Sequence, residues 1–78
     1  MPRIEYYKPE GKTAFISRLT ASYGELCSAA TAGRILGFRS YQTVYEWLKD
    51  NEIPEFDVNG RRRWETAAIG KRLWEARV

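Results

Sequence analysis

The sequence predicts a small, mostly helical domain carrying a single β-hairpin, and three observations lead there. Apolar residues recur at helical spacing in four separate stretches, punctuated by Gly24, Ser28, Gly37 and Ser40. A fifth stretch, Ile53 to Trp64, alternates instead and carries Asn59-Gly60 in its second half, a strong hairpin signal. Finally, 78 residues with 44% hydrophobic and 29% charged side chains suit one globular core and neither two domains nor a disordered chain.

In chain order, Met1 to Lys8 sets Ile4, Tyr6 and Tyr7 among charges and reads as a short strand or a loosely held arm, closed by Pro9. From about Lys12, Phe15, Ile16, Leu19 and Tyr23 follow helical spacing until Gly24 stops them. Ser28 is suited to cap the next helix, whose face is Ala29, Ala32, Ile35 and Leu36, and Gly37 stands where a helix end wants a left-handed residue. Ala32 and Gly33 are small enough to let another helix approach closely. After Phe38-Arg39, Ser40 is placed to cap a helix running to about Asp50. At 100° per residue, Val44, Trp47 and Leu48 gather on one side with Tyr41 at its edge, so Gln42, Thr43, Glu46 and Lys49 face away.

Two hairpin registers compete. A two-residue Asn59-Gly60 turn pairs Val58 with Arg61 and Phe56 with Arg63, which puts Phe56 and Trp64 on opposite faces. A three-residue loop with Gly60 as a left-handed bulge pairs Asp57 with Arg61, Phe56 with Arg62 and Glu55 with Arg63. It gathers Pro54, Phe56 and Trp64 on a buried face and sets two acid-arginine pairs across the strands on the other, so the three-residue loop is expected. Thr66 to Arg77 then closes the domain as a helix with Ile69, Leu73 and Ala76 inward and Trp74 beside them. Trp47, Trp64 and Trp74, at core phases of separate elements, are expected to pack the interior.

Composition excludes several functions. The chain has no histidine and one cysteine, Cys27, which rules out an internal disulfide, a zinc site built on His and Cys, a Ser-His-Asp triad and a Cys-His pair. A non-enzymatic role without metal or cofactor is expected, with Cys27 a small buried hydrophobe. The longest run without a charged residue, Leu26 to Gly33, is far short of the roughly 18 apolar residues a membrane-spanning helix needs. Nor does a charged segment followed by an apolar core open the sequence, so a cytoplasmic protein is expected. The net charge of +3 allows an acidic partner without demanding one.

A small-residue helix, a turn beginning at Gly37, a helix with a polar outer face and a basic hairpin follow one another in the order of a winged helix-turn-helix. Ala32-Gly33-Arg34-Ile35-Leu36-Gly37-Phe38-Arg39-Ser40-Tyr41-Gln42-Thr43-Val44-Tyr45-Glu46-Trp47-Leu48, followed by Ile53-Pro54 and the Asn59-Gly60-Arg61 wing, resembles the excisionase-like and MerR-like modules of phages and mobile elements. The resemblance spans roughly Leu26 to Leu73. It implies a winged helix-turn-helix over residues 26–78; residues 1–25 lie outside it and read, from their own pattern, as an arm and an extra helix within the same compact unit. It further implies a double-stranded DNA partner, a bacterial nucleoid-associated location, and a role as recombination directionality factor or small transcriptional regulator. In that role the Ser40–Asp50 helix enters a major groove and the wing reaches the adjacent minor groove or backbone.

Residue chemistry bears on those expectations independently. Gln42 matches adenine N6 and N7, Glu46 can accept from cytosine N4, and Thr43 suits a phosphate or a thymine methyl. Ser40, Tyr41 and Tyr45 bring hydroxyls suited to phosphates, and Arg39 lies at a helix N-terminus where anions are favoured. Arg61, Arg62 and Arg63 form the densest basic cluster of the chain, and arginine is preferred in a narrow minor groove. The bland alternatives are a solvated hairpin, an ordinary wet helix face and, for Tyr45, simple packing. From Ser40 to Asp50 the net charge is −1, so affinity has to come from the wing. Recognition of only a few base pairs implies a homodimer or tandem copies, with a recombinase or other phage protein as a further partner. The rival classes are a packaging or virion adaptor using Phe15, Ile16 and Leu19 to bind protein, and a protein-protein module that has lost DNA.

Overall fold

In the computed structural model, which describes residues 11–76, the chain runs α1 (Lys12–Tyr23), β1 (Leu26–Cys27), α2 (Ala29–Leu36), α3 (Tyr41–Asp50), β2 (Glu55–Val58), β3 (Arg61–Glu65) and α4 (Thr66–Ala76). Four helices and a three-stranded antiparallel sheet in the order β1-β3-β2 make the architecture mostly α with a small β component. The arm expected over Met1–Lys8 and the helix end at Arg77 lie outside the described residues.

Local chemistry sets most boundaries. The backbone N–H of Gly24 closes α1 on Thr20 O. Ser28 caps α2 as expected, its Oγ accepting from Thr31 N–H at 3.2 Å. Gly37 ends α2 in the left-handed region at φ 79°, with the N–H groups of Gly37 and Phe38 both donating to Gly33 O. The α3 C-terminus repeats the device with Glu52 at φ 54° in the left-handed place. Glu52 N–H donates to Lys49 O and Ile53 N–H to Leu48 O, and the reversal drops Ile53 into the interior. Ser40 does take the N-cap position of α3, yet its hydroxyl makes no capping hydrogen bond and stays exposed.

The core consists of Cys27, Ala29, Ala32, Val44, Leu48, Ile53, Trp64 and Ile69. The close approach anticipated at Gly33 is present: a methyl there would stand 3.2 Å from Val44 Cγ2 and 3.3 Å from Phe38 O. Cys27 is buried, and burial pushes its thiol above the usual range despite the opposing influence of the Thr66 hydroxyl and the Arg63 charge.

α1 and α4 pack antiparallel. Lys12 Nζ reaches Glu75 Oε2 at 3.4 Å at one end, the Phe15 and Trp74 rings stand 5.7 Å apart, and Thr66 N–H donates to Glu25 O at the other end. Between them Gly70 leaves room for Leu19 and Ile16. Phe15, Ile16 and Leu19, considered from sequence as a partner-binding element, are therefore engaged by α4. Tyr23 is 39% exposed, outside the buried face expected for it. Ala76 is exposed too, because α1 begins opposite Glu75 and reaches no further to cover it.

The hairpin corrects the expected register. Asn59 and Gly60 form a two-residue turn, with Val58 opposite Arg61, Asp57 opposite Arg62, Phe56 opposite Arg63 and Glu55 opposite Trp64. Both turn residues have positive φ, 55° and 81°, the geometry whose twist matches that of the strands. Asp57 Oδ1 accepts the Gly60 N–H at 2.8 Å and fixes the turn from the side. Phe56 and Pro54 consequently stand exposed, and Ile53 takes the core place expected of Phe56. Sequence gave no sign of β1, whose Leu26 and Cys27 pair with Glu65 and Trp64.

Leu48→Ala, at a site 1% exposed, should cost about 2–5 kcal/mol in denaturant unfolding, whereas Phe56→Ala should cost less than about 1 kcal/mol. A large loss at Phe56 would support the three-residue register instead.

Candidate nucleic-acid interface

The β3 sequence Arg61-Arg62-Arg63-Trp64 alternates across the sheet, so the burial of Trp64 decides where each arginine goes. Arg62 shares the face of Trp64 and turns toward α3, while Arg61 and Arg63 stand on the outer face beside Val58 and Phe56. The Arg62 guanidinium lies 5.1 Å from the Tyr45 ring centre and 5.2 Å from that of Trp64, and the two rings are 5.7 Å apart. Glu55 completes the group: Arg62 Nε donates to Glu55 Oε2 at 2.6 Å and Nη2 to Oε1 at 3.2 Å. These bonds hold the Glu55 carboxyl below, and the Arg62 guanidinium above, their ordinary ranges.

Tyr45 therefore packs against Trp64 and Arg62 while remaining 39% exposed. The acid-arginine pairs expected at Asp57-Arg61 and Glu55-Arg63 are replaced by the single Glu55-Arg62 pair, a consequence of the one-residue change in register. Arg63 turns its Nη1 back to Arg62 O at 2.8 Å and is half-buried, whereas Arg61 is exposed.

On α3, Tyr41, Gln42, Thr43 and Glu46 are exposed along the outer face as expected, with Tyr41 at 60%. Gln42 Nε2 donates to Glu46 Oε2 at 3.3 Å, one helical turn apart, so the two candidate base-reading groups already share a hydrogen bond. Arg39 and Ser40 are exposed in the link that leads into α3. Between α3 and the hairpin runs a cleft of about 380 Å³ lined by Ala29, Ala30, Tyr41, Tyr45, Arg62 and Arg63. Of the ten candidate residues, the structure gathers Tyr41, Tyr45, Arg62 and Arg63 at the cleft, sets Gln42, Thr43 and Glu46 along the exposed face of α3, keeps Arg39 and Ser40 in the link before it, and leaves Arg61 at the tip. It adds Glu55, which sequence treated only as a partner of Arg63, and the exposed pair Phe56 and Val58.

No cluster of acidic or cysteine side chains suited to a metal occurs among the described residues, and no helix among them is long and apolar enough to cross a membrane. Because the folded-state value of Glu55 is lowered, its pair with Arg62 stabilises the fold above the ordinary carboxylate range and is lost as pH falls through the lowered value. Thermal unfolding should show wild type slightly more stable than Glu55→Gln at neutral pH, with the gap closing in acid; a gap that widens in acid would contradict the pairing.

Comparisons with protein-family models, curated proteins and solved structures return no match to this chain.

Proposed function

We propose that the chain is a sequence-specific DNA-binding protein of winged helix-turn-helix type, acting as an excisionase-like recombination directionality factor or a small transcriptional regulator of a phage or mobile element. The observation that carries this reading is the arrangement around the cleft, where the polar face of α3 and the arginines of the β2–β3 hairpin are tied together by Arg62 over Tyr45. A helix with exposed amide and carboxylate groups suits base edges in a major groove, and an arginine-bearing hairpin beside it suits the neighbouring backbone or minor groove.

The work divides between the two elements. Gln42, Thr43 and Glu46 read; Arg61 and Arg63, joined by Arg39 and the hydroxyls of Ser40 and Tyr41, grip phosphates. Gln42 and Glu46 must exchange their mutual hydrogen bond for base contacts, which links their readings: a base that engages one releases the other. The action is architectural, with neighbouring copies bending DNA so that a recombinase or polymerase complex assembles or fails to. A protein-docking function is the second reading, favoured by the 43% exposure of both Phe56 and Val58 on the outer sheet face and by the acidic balance of α3.

Selection of bound duplexes from a random pool, repeated at two salt concentrations, tests the first reading. It expects an enriched sequence and an affinity that falls steeply with salt; failure of any duplex to bind better than about 1 μM at low salt would favour docking. Gln42→Ala should relax base preference by about 1–3 kcal/mol at one position, whereas Arg61→Ala should weaken all sequences evenly and flatten the salt slope by about one unit. Identical behaviour of the two variants would refute the division into reader and grip.

A further inference from the structure

Arg62 is the one wing arginine held toward α3, and what holds it resembles what it would meet on DNA. Arginine takes carboxylates and phosphates with the same planar fork, and Glu55 occupies that fork with both oxygens, at 2.6 and 3.2 Å. Resting on the DNA-binding reading, we infer that Glu55 is a built-in phosphate mimic: it occupies Arg62 in the free protein, is displaced by a backbone phosphate on binding, and thereby sets affinity and specificity.

The surroundings favour exchange. The side chains of Arg62 and Glu55 are 58% and 43% exposed, so an incoming phosphate reaches the guanidinium without unfolding the hairpin. Stacking over Tyr45 and Trp64 holds the guanidinium between α3 and the strand when Glu55 leaves. The Glu55 side chain is exposed and makes no other hydrogen bond among the described residues, so its release breaks no further bond. The displaced carboxylate then stands unpaired near the phosphates it mimicked, and this opposing charge weakens every complex. Duplexes that seat the phosphate well against Arg62 overcome the opposition, whereas ill-fitting ones do not, so Glu55 suppresses non-specific binding more than specific binding.

Fluorescence anisotropy on the full chain tests this, using the duplex selected from the random pool and a scrambled duplex of equal length. Glu55→Gln should bind the scrambled duplex about three- to tenfold more tightly, with a smaller gain on the selected one. The gain should vanish when Glu55→Gln is combined with Arg62→Ala. Asp57→Asn removes an equal charge from the same strand face while keeping an acceptor for Gly60 N–H, and should give a smaller gain; this comparison stands even if Arg62→Ala loosens the hairpin. An unchanged or weakened Glu55→Gln complex, a gain that persists without Arg62, or an equal gain from Asp57→Asn would each overturn the inference while leaving DNA binding intact. Wild type that binds neither duplex would instead overturn the DNA reading, and this inference with it.

Discussion

Trp64 is 3% exposed in the centre strand of the sheet, and its place in the core is the constraint on which the rest depends. A strand has two faces and strict alternation, so once the indole turns inward the orientation of every other β3 residue follows. Arg62 must face α3, while Arg61 and Arg63 leave the strand from the opposite face, Arg63 still bordering the cleft. The same placement lets Cys27 of β1 pair opposite Trp64 and anchors the segment leading into α2. A large aromatic side chain thus does more than fill volume here: it separates one arginine that faces α3 from two that leave the strand on the other face.

Arg62 transmits that constraint to the helix. With its guanidinium over Tyr45 and its fork on Glu55, it fixes how the hairpin stands against α3, and hence the width of the cleft between them. An exposed ion pair alone contributes little to such positioning, but a guanidinium held within 5.2 Å of two ring centres and hydrogen-bonded twice to one carboxylate loses little further freedom. If the two elements grip one duplex as proposed, holding them at a fixed spacing in the free state lowers the ordering cost of binding. The affinity-limiting role inferred for Glu55 grows from the same contact, since the group that orients Arg62 also competes for it.

α1 is the other long-range feature. Its apolar face closes on α4 around Gly70, with Phe15 against Trp74 and Lys12 against Glu75, so this helix completes the domain beside the core and leaves the α3–hairpin side open. On the outer face of the sheet, among the described residues, Leu26, Phe56 and Val58 remain exposed, the last two as a direct consequence of the hairpin register.

The helices, and the ends of α1 to α3, could be read from sequence because their determinants are local: helical periodicity, the Ser28 cap and the left-handed Gly37 act within one or two turns of the backbone. The polar outer face of α3 was legible for the same reason, and so were Val44 and Leu48 as its inward residues. The two-residue strand β1 was too short to show a period, and the left-handed Glu52 breaks the usual preference for glycine, so neither left a readable mark. Register was the point at which local reasoning failed. Asn59-Gly60 is compatible with a two- or a three-residue loop, and gathering Pro54, Phe56 and Trp64 on one face favoured the longer one. Tertiary structure chose the shorter, because Ile53, delivered by the turn after α3, already fills the core and Arg62 gains Tyr45 and Glu55 on the face that Phe56 gives up. Sequence by itself determined the four helices, the hairpin and the residues that α3 shows to solvent. Only the folded whole decided which arginines remain free, since a one-residue shift in strand pairing exchanges the faces and is settled by the elements packed against the sheet.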